Sequence, residues 1–177
     1  GVYFDREGIA LLKAGGAESI MPIMAMLRKL CIPSVGVIDR DKKLEKKLPD
    51  REDLFYTTTL CFDSEVVRFL IKHGRSDVIE RIITEEKANG LTRKLQKRNI
   101  QKKADKFKYK GVLINNDMSI SDSIGDDKMY ELLCVTWFSN EKGILFGRII
   151  AENIDERDIP TQYKKAIKKV KEYARSY

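Results

Sequence analysis

The five residues Ser34-Val-Gly-Val-Ile38 run straight into Asp39-Arg-Asp41, and this junction limits the fold more than any other stretch of the chain. A short Val/Ile-rich run with Pro33 in front and charge behind reads as a buried strand of a parallel sheet. In open α/β sheets, ligands bind just beyond the carboxyl ends of the strands. Asp39 and Asp41 therefore stand where chemistry is usually placed. If the extended backbone continues through Arg40, alternation points both carboxylates to one side. Two hard oxygen donors meeting at one point suit Mg²⁺ or Mn²⁺. The plainer alternative is a strand end that turns polar at the surface.

The flanking pattern supports an α/β chain. Residues 9–13 read as a short strand, Gly15-Gly16 as a turn, and residues 17–30 as a helix with Ile20, Ile23, Met24, Leu27 and Leu30 on one face. Ser19 is a possible cap for that helix, with Pro22 in its first turn. Strand, helix and the strand at 34–38 would make a β-α-β unit with parallel strands and a right-handed crossover. Residues 42–53 are charged and read as a loop with a helical turn. Residues 54–60, Leu-Phe-Tyr-Thr-Thr-Thr-Leu, form a β-branched and aromatic strand. Asp63 then caps a helix that runs to about His73-Gly74, with Glu65 in its first turn. An acid there is also favoured by the helix dipole alone.

Further on, the spacing predicts a helix over 76–86, a break at Asn89-Gly90, and a basic helix over 91–107 with a thin apolar seam. Residues 108–127 are irregular, with a possible strand at 112–114. Residues 129–133 close a helix, and Val135 to Phe138 is a separate short apolar run. Helices over 144–153 and 160–177 end the chain.

Charge is concentrated. The net charge is +7, yet residues 87–110 alone hold ten Lys/Arg against one acid, Asp105. A basic segment beside an acidic site can hold a polyanion where a metal works. Its plain alternative is a solvated helix face. Three scattered cysteines, Cys31, Cys61 and Cys134, fit neither a disulfide framework nor a zinc site and are expected as buried thiols in a reducing cytosol. The single histidine, His73, sits at a helix end, which argues against His-dependent hydrolases. No stretch nears the ~20 apolar residues of a membrane span.

The ordered set is Gly15-Gly16, Asp39-x-Asp41, Asp63-x-Glu65, and Lys142 ahead of a helix. With the stretches LLKAGGAESI, IPSVGVIDRD, TTTLCFDSEVV, KGILFGRIIAENI and DIPTQYKKAIKKV, it resembles the Toprim domain of the OLD-family (overcoming lysogenization defect) nucleases. That family includes the nuclease subunit of Gabija antiphage systems. The resemblance covers both ends of the chain and leaves about residues 74–130 for a basic helical insertion. It implies an α/β fold, a Rossmann-like Toprim parallel sheet with flanking helices. The core would be split into residues 1–73 and 131–177 around the insertion.

The resemblance also implies a cytoplasmic, metal-dependent DNA endonuclease, part of an OLD-like ATPase–nuclease in antiphage defence. Asp39 and Asp41 would bind Mg²⁺ or Mn²⁺. Glu65, and less directly Asp63, would serve a second ion. Lys142 would stabilise charge on the phosphorane-like transition state, as two-ion chemistry requires. Without the family, Lys142 is an exposed lysine near a helix start. Double-stranded DNA is the implied partner, with Arg93, Lys94, Lys97, Arg98, Lys102 and Lys103 contacting it. A homo-oligomer, and a helicase partner in a Gabija-like system, are implied as well.

One departure matters. Toprim domains open with a strand, Glu-Gly and a helix, whereas Glu7-Gly8 here runs directly into the strand expected at 9–13. The first strand and its glutamate are therefore expected from a preceding ABC-type ATPase portion or a separate chain. No G-x-x-x-x-G-K-[ST] is present. The competing expectation is a Toprim-like module that no longer cuts and serves nucleic-acid binding or oligomerisation.

Overall fold

A computed structural model describes residues 7–123, 125–141 and 143–176. The protein is mixed α/β and mostly helical. Its chain divides into two units, Gly1–Phe62 with Pro160–Tyr177, and Asp63–Ile159.

The first unit is built on two short strands, β1 (Gly36–Ile38) and β2 (Leu54–Tyr56). They run parallel, with Gly36 opposite Leu54, Val37 opposite Phe55 and Ile38 opposite Tyr56. Helix α1 (Ala17–Lys29) supplies Met24, which is buried with Ile38 and Leu54. Ala17, Ile20, Met21, Leu48 and Tyr56 pack around that cluster. Gly36 is required by this approach, since a Cβ there would stand 2.7 Å from Leu54 Cδ2 and 3.2 Å from Met24 Sδ. Helix α2 (Arg40–Lys46) lies between the strands in sequence. A helix from the far end of the chain, Thr161–Arg175, packs along both strands and buries Ala166.

The second unit is helical. Helix α3 (Phe62–Lys72) starts in the first unit and buries Val66, Val67 and Leu70 in the second. Helix α4 (Ser76–Glu86) buries Val78, Ile79, Ile82 and Ile83 on one stripe, the i, i+1, i+4, i+5 pattern of a half-buried helix. Gly90 follows where a Cβ would meet the Ile83 side chain at 2.5 Å. Helix α5 (Lys97–Phe107) buries Ile100, Ala104 and Phe107 and packs on α6 (Asp127–Asn140). In α6 every residue from Leu132 to Ser139 is buried, so this helix is the centre of the unit. Trp137, Phe138 and Phe146 meet edge-to-face there, with centroids 5.2–6.1 Å apart. Helix α7 (Ile144–Asn153) packs on α4, and the closing α8 is the Thr161–Arg175 helix of the first unit.

Several expectations hold closely. The helices at 76–86 and 144–153 match α4 and α7 end to end, and β1 and β2 are parallel. Others need correction. No strand forms at 9–13; these residues are irregular, with Leu11 and Leu12 exposed. A strand needs a partner's backbone, and among the described residues none pairs there. The β-α-β unit expected at 9–38 is therefore replaced by β1 and β2 flanking α2.

Helix α1 begins after Gly16, so Ser19 and Pro22 lie inside it. The basic helix starts only at Lys97. Residues before it make an antiparallel bridge, Leu95 with Met118, in place of the strand expected at 112–114. Residues 129–133 and 135–138 are one helix, α6, which also crosses the domain boundary expected at 130/131. An unbroken apolar run cannot separate a buried strand from a buried helix by periodicity. Asp126 fixes where the helix begins, accepting a 2.9 Å hydrogen bond from Met129 N–H as its cap. Cys61 and Cys134 are buried as expected, but Cys31 is exposed just after α1, in the left-handed region at φ 56°. Among the described residues no helix is long and apolar enough to cross a membrane.

Candidate functional site

Asp39 follows β1 directly and precedes α2, at the carboxyl end of the parallel pair. The extended backbone stops there, because Arg40 opens a helix. Strand alternation therefore does not carry through to Asp41. Instead Asp41 lies in the first turn of α2, where a carboxylate suits the helix dipole. Both aspartates are half-buried, and Asp41 Oδ1 is shielded from solvent.

A loop from β2 fixes this junction. Asp39 Oδ1 does not cap its own helix but accepts Phe62 N–H at 2.9 Å, which anchors the start of α3. Arg40 N–H donates to Thr57 Oγ1 at 2.9 Å, and Thr57 Oγ1 donates in turn to the Thr59 carbonyl at 2.7 Å. Asp41 N–H donates to the Leu60 carbonyl at 2.9 Å, and Thr57 N–H to the Ile38 carbonyl at 3.2 Å. Thr57 is fully buried and its hydroxyl is used in both directions. Sequence reasoning missed it, although three successive threonines after an apolar strand were a signal for such side-chain-to-backbone bonding.

Asp63 and Glu65 fall in the first turn of α3, within the second unit. Asp63 is half-buried and lies inside the helix, not at its cap; Glu65 is 4% exposed. Lys142 lies outside the described residues. Among the described residues, no group of three or more His, Cys, Asp or Glu side chains is arranged to hold a metal ion. Asp39 and Asp41 are two positions apart in the chain, on either side of the first residue of α2. Two carboxylates match the needs of one Mg²⁺ or Mn²⁺ that keeps most of its waters. A two-ion cluster needs donors beyond this pair.

The basic segment divides into cations paired with acids of other segments and cations exposed on α5. Arg93 Nη1 bonds Glu141 at 2.7 Å, where Lys87 also binds. Burial pushes the Glu141 carboxyl up, but these two cations outweigh it and hold it below the usual range. Lys94 Nζ bonds Asp122 at 2.5 Å and, with the Ser119 backbone N–H, lowers that carboxyl to about 2. Lys97, Arg98 and Lys102 are exposed on the outer side of α5, with Lys106 one turn on; Lys103 is half-buried. No aromatic residue lies on that outer side, since Phe107 is buried and Tyr109 is half-buried against Arg68 and Glu131. The face therefore offers charge without a base-stacking surface. His73 is exposed at the end of α3, stacked on Phe69 at 4.1 Å with Nδ1 2.7 Å from the Phe69 carbonyl.

Comparison with known protein families, with curated proteins and with solved structures finds no match for this chain.

Proposed function

We propose that the chain is the Toprim-type portion of an OLD-like, divalent-metal-dependent DNA endonuclease. The observation that carries this reading is the Asp39–Asp41 pair at the carboxyl end of a parallel strand, tied down by four hydrogen bonds from the 57–62 loop. Preorganised acids at that edge are what phosphodiester hydrolysis on a metal requires. Asp39 and Asp41 would hold one Mg²⁺ or Mn²⁺, which would supply Lewis-acid activation of the phosphate. In the two-ion chemistry that the resemblance implies, Glu65 and Asp63 would serve a second ion and Lys142 would balance charge on the phosphate. The exposed α5 cations Lys97, Arg98 and Lys102 hold duplex DNA by its phosphates.

The reading needs one more strand. A two-stranded parallel sheet is unusually small. In this proposal the added strand comes from an ATPase portion or a separate chain. Cytoplasmic antiphage action, homo-oligomer formation and a helicase partner belong to the same proposal.

The test is plasmid cleavage by the full protein in Mg²⁺ or Mn²⁺. Asp39→Asn and Lys142→Ala are each expected to lower the rate by about 10²-fold or more. Undiminished cutting by both variants sinks the proposal.

A second reading, a Toprim-like nucleic-acid-binding or oligomerisation module without cutting, is favoured by the exposed basic face of α5. It predicts no cleavage with any divalent ion, together with duplex binding that weakens steeply as salt rises.

A further inference from the structure

The opposite end of the two-stranded sheet carries a separate feature. An open cleft of about 730 Å³ lies against the segments that lead into β1 and β2, lined among others by Arg28, Ser34, Arg51, Asp53 and Tyr173. Its most enclosed charge is Asp53, which is 8% exposed. Arg51 grips that carboxylate with two bonds, Nε to Oδ1 at 2.9 Å and Nη2 to Oδ2 at 2.6 Å. Arg28, from the last turn of α1, reaches the same Oδ2 at 3.2 Å. Glu52, also in the lining, has its own cation in Lys169 at 3.5 Å.

Two guanidiniums thus share one carboxylate; the lining as a whole carries two positive and two negative charges, and Glu52 is paired in turn by Lys169 from outside it. Each guanidinium has five N–H donors. Asp53 uses two from Arg51 and one from Arg28, and the rest remain for a ligand. The Arg28 side chain is 62% exposed, so its remaining donors are open to solvent. Fixed planar forks match the tetrahedral oxygens of phosphate better than flexible ammonium groups do. The hydroxyls of Ser34 and Tyr173 add neutral donors, and Ile32 and Pro33 add apolar wall. A bare phosphate is too small for this volume, which falls in the range of small-molecule sites at roughly 300–1,000 Å³.

We propose that this cleft binds the terminal phosphate of a nucleotide-sized molecule. Arg28 and Arg51 clamp the phosphate, and Asp53 is the positioning residue that presents both guanidiniums. The site lies at the amino ends of the strands, opposite Asp39, and stands or falls independently of the nuclease reading.

The experiment is a titration of the ¹⁵N-labelled protein with adenosine 5′-monophosphate, with adenosine, and with a short oligonucleotide with and without a 5′-phosphate. The backbone amides of Ser34 and Glu52 are the reporters. The expected result is that the phosphorylated probes shift these amides and their unphosphorylated twins do not. Tighter binding of the phosphorylated oligonucleotide assigns the site to a nucleic-acid end; tighter binding of the monophosphate assigns it to a free nucleotide. Arg28→Gln, at an exposed side chain that the fold tolerates, weakens binding about tenfold, the scale of one charged hydrogen bond. Arg28→Lys recovers part of it, and Arg148→Gln, far along the sequence in the helical unit, changes nothing. The proposal is overturned if no phosphorylated probe moves these amides, or if Arg28→Gln binds as tightly as the parent chain.

Discussion

In the helical unit, Val67, Leu70, Ile79, Ile82, Ile83, Leu132, Leu133, Trp137 and Phe138 are all fully buried. In the α/β unit the buried cluster is Met24, Ile38 and Leu54, while Leu11, Leu12, Met26, Leu30 and Ile32 stay exposed. The unit that holds Asp39 and Asp41 is thus the one with the smaller core. Buried apolar area sets most of the stability of a domain. The helical unit has that area, whereas the α/β unit fixes its acids through directed hydrogen bonds around Thr57.

Four measurements would break or sharpen this contrast. The largest effect is expected in the helical core. Leu133→Ala should cost about 3–5 kcal/mol, against about 2–3 for Met24→Ala in the thinner core, read as shifts in urea unfolding. Equal costs would remove the contrast. Next comes the ion pair between Arg75 and Asp158, at 2.7 Å with the aspartate side chain 2% exposed. Arg75→Ala leaves that charge buried and should destabilise by about 3 kcal/mol. A change below about 1 kcal/mol, within the range of a surface pair, would show the site to be wet.

In the α/β unit the expected effects are smaller. Asp39→Ala removes the acceptor for Phe62 N–H and should cost about 1 kcal/mol, whereas Asp39→Asn keeps an acceptor and should stay near the parent stability. If the two variants melt alike, the bond from the 57–62 loop does not hold the junction.

The smallest effect concerns Asp122, whose carboxyl is lowered to about 2 by Lys94 and the Ser119 backbone N–H. A depressed carboxylate stabilises the fold above its unfolded value, near 4. That contribution is lost as pH falls from about 4 through 2. Lys94→Met should raise the Asp122 midpoint in an NMR titration and narrow the acid-stability range, with little change at neutral pH. An unmoved midpoint would mean that the ion pair does not form in solution.

The legible parts of this protein share a property. Helices α4 and α7 could be read end to end because 3.6-residue periodicity and their breakers, such as Asn89-Gly90, are local in the chain. The strand before Asp39 was legible for the same reason, being a Val/Ile run between Pro33 and charge. The site was legible only in part. Sequence placed Asp39 and Asp41 at a strand end, but it could not foresee that Asp41 belongs to a helix turn. Nor could it foresee that Thr57 and Phe62 bind this junction from residues some twenty positions away.

By itself, then, the sequence determined helices α1, α3, α4, α7 and α8, the β1 strand and the acidic step that follows it. These depend on neighbours within one or two turns. The tertiary structure alone decided that residues 9–13 stay irregular, that residues 127–140 are one buried helix, and that Arg93 and Lys94 are spent on Glu141 and Asp122. Strand pairing, full burial and ion-pair partners are set by groups distant in the chain, and no local pattern encodes which distant group arrives.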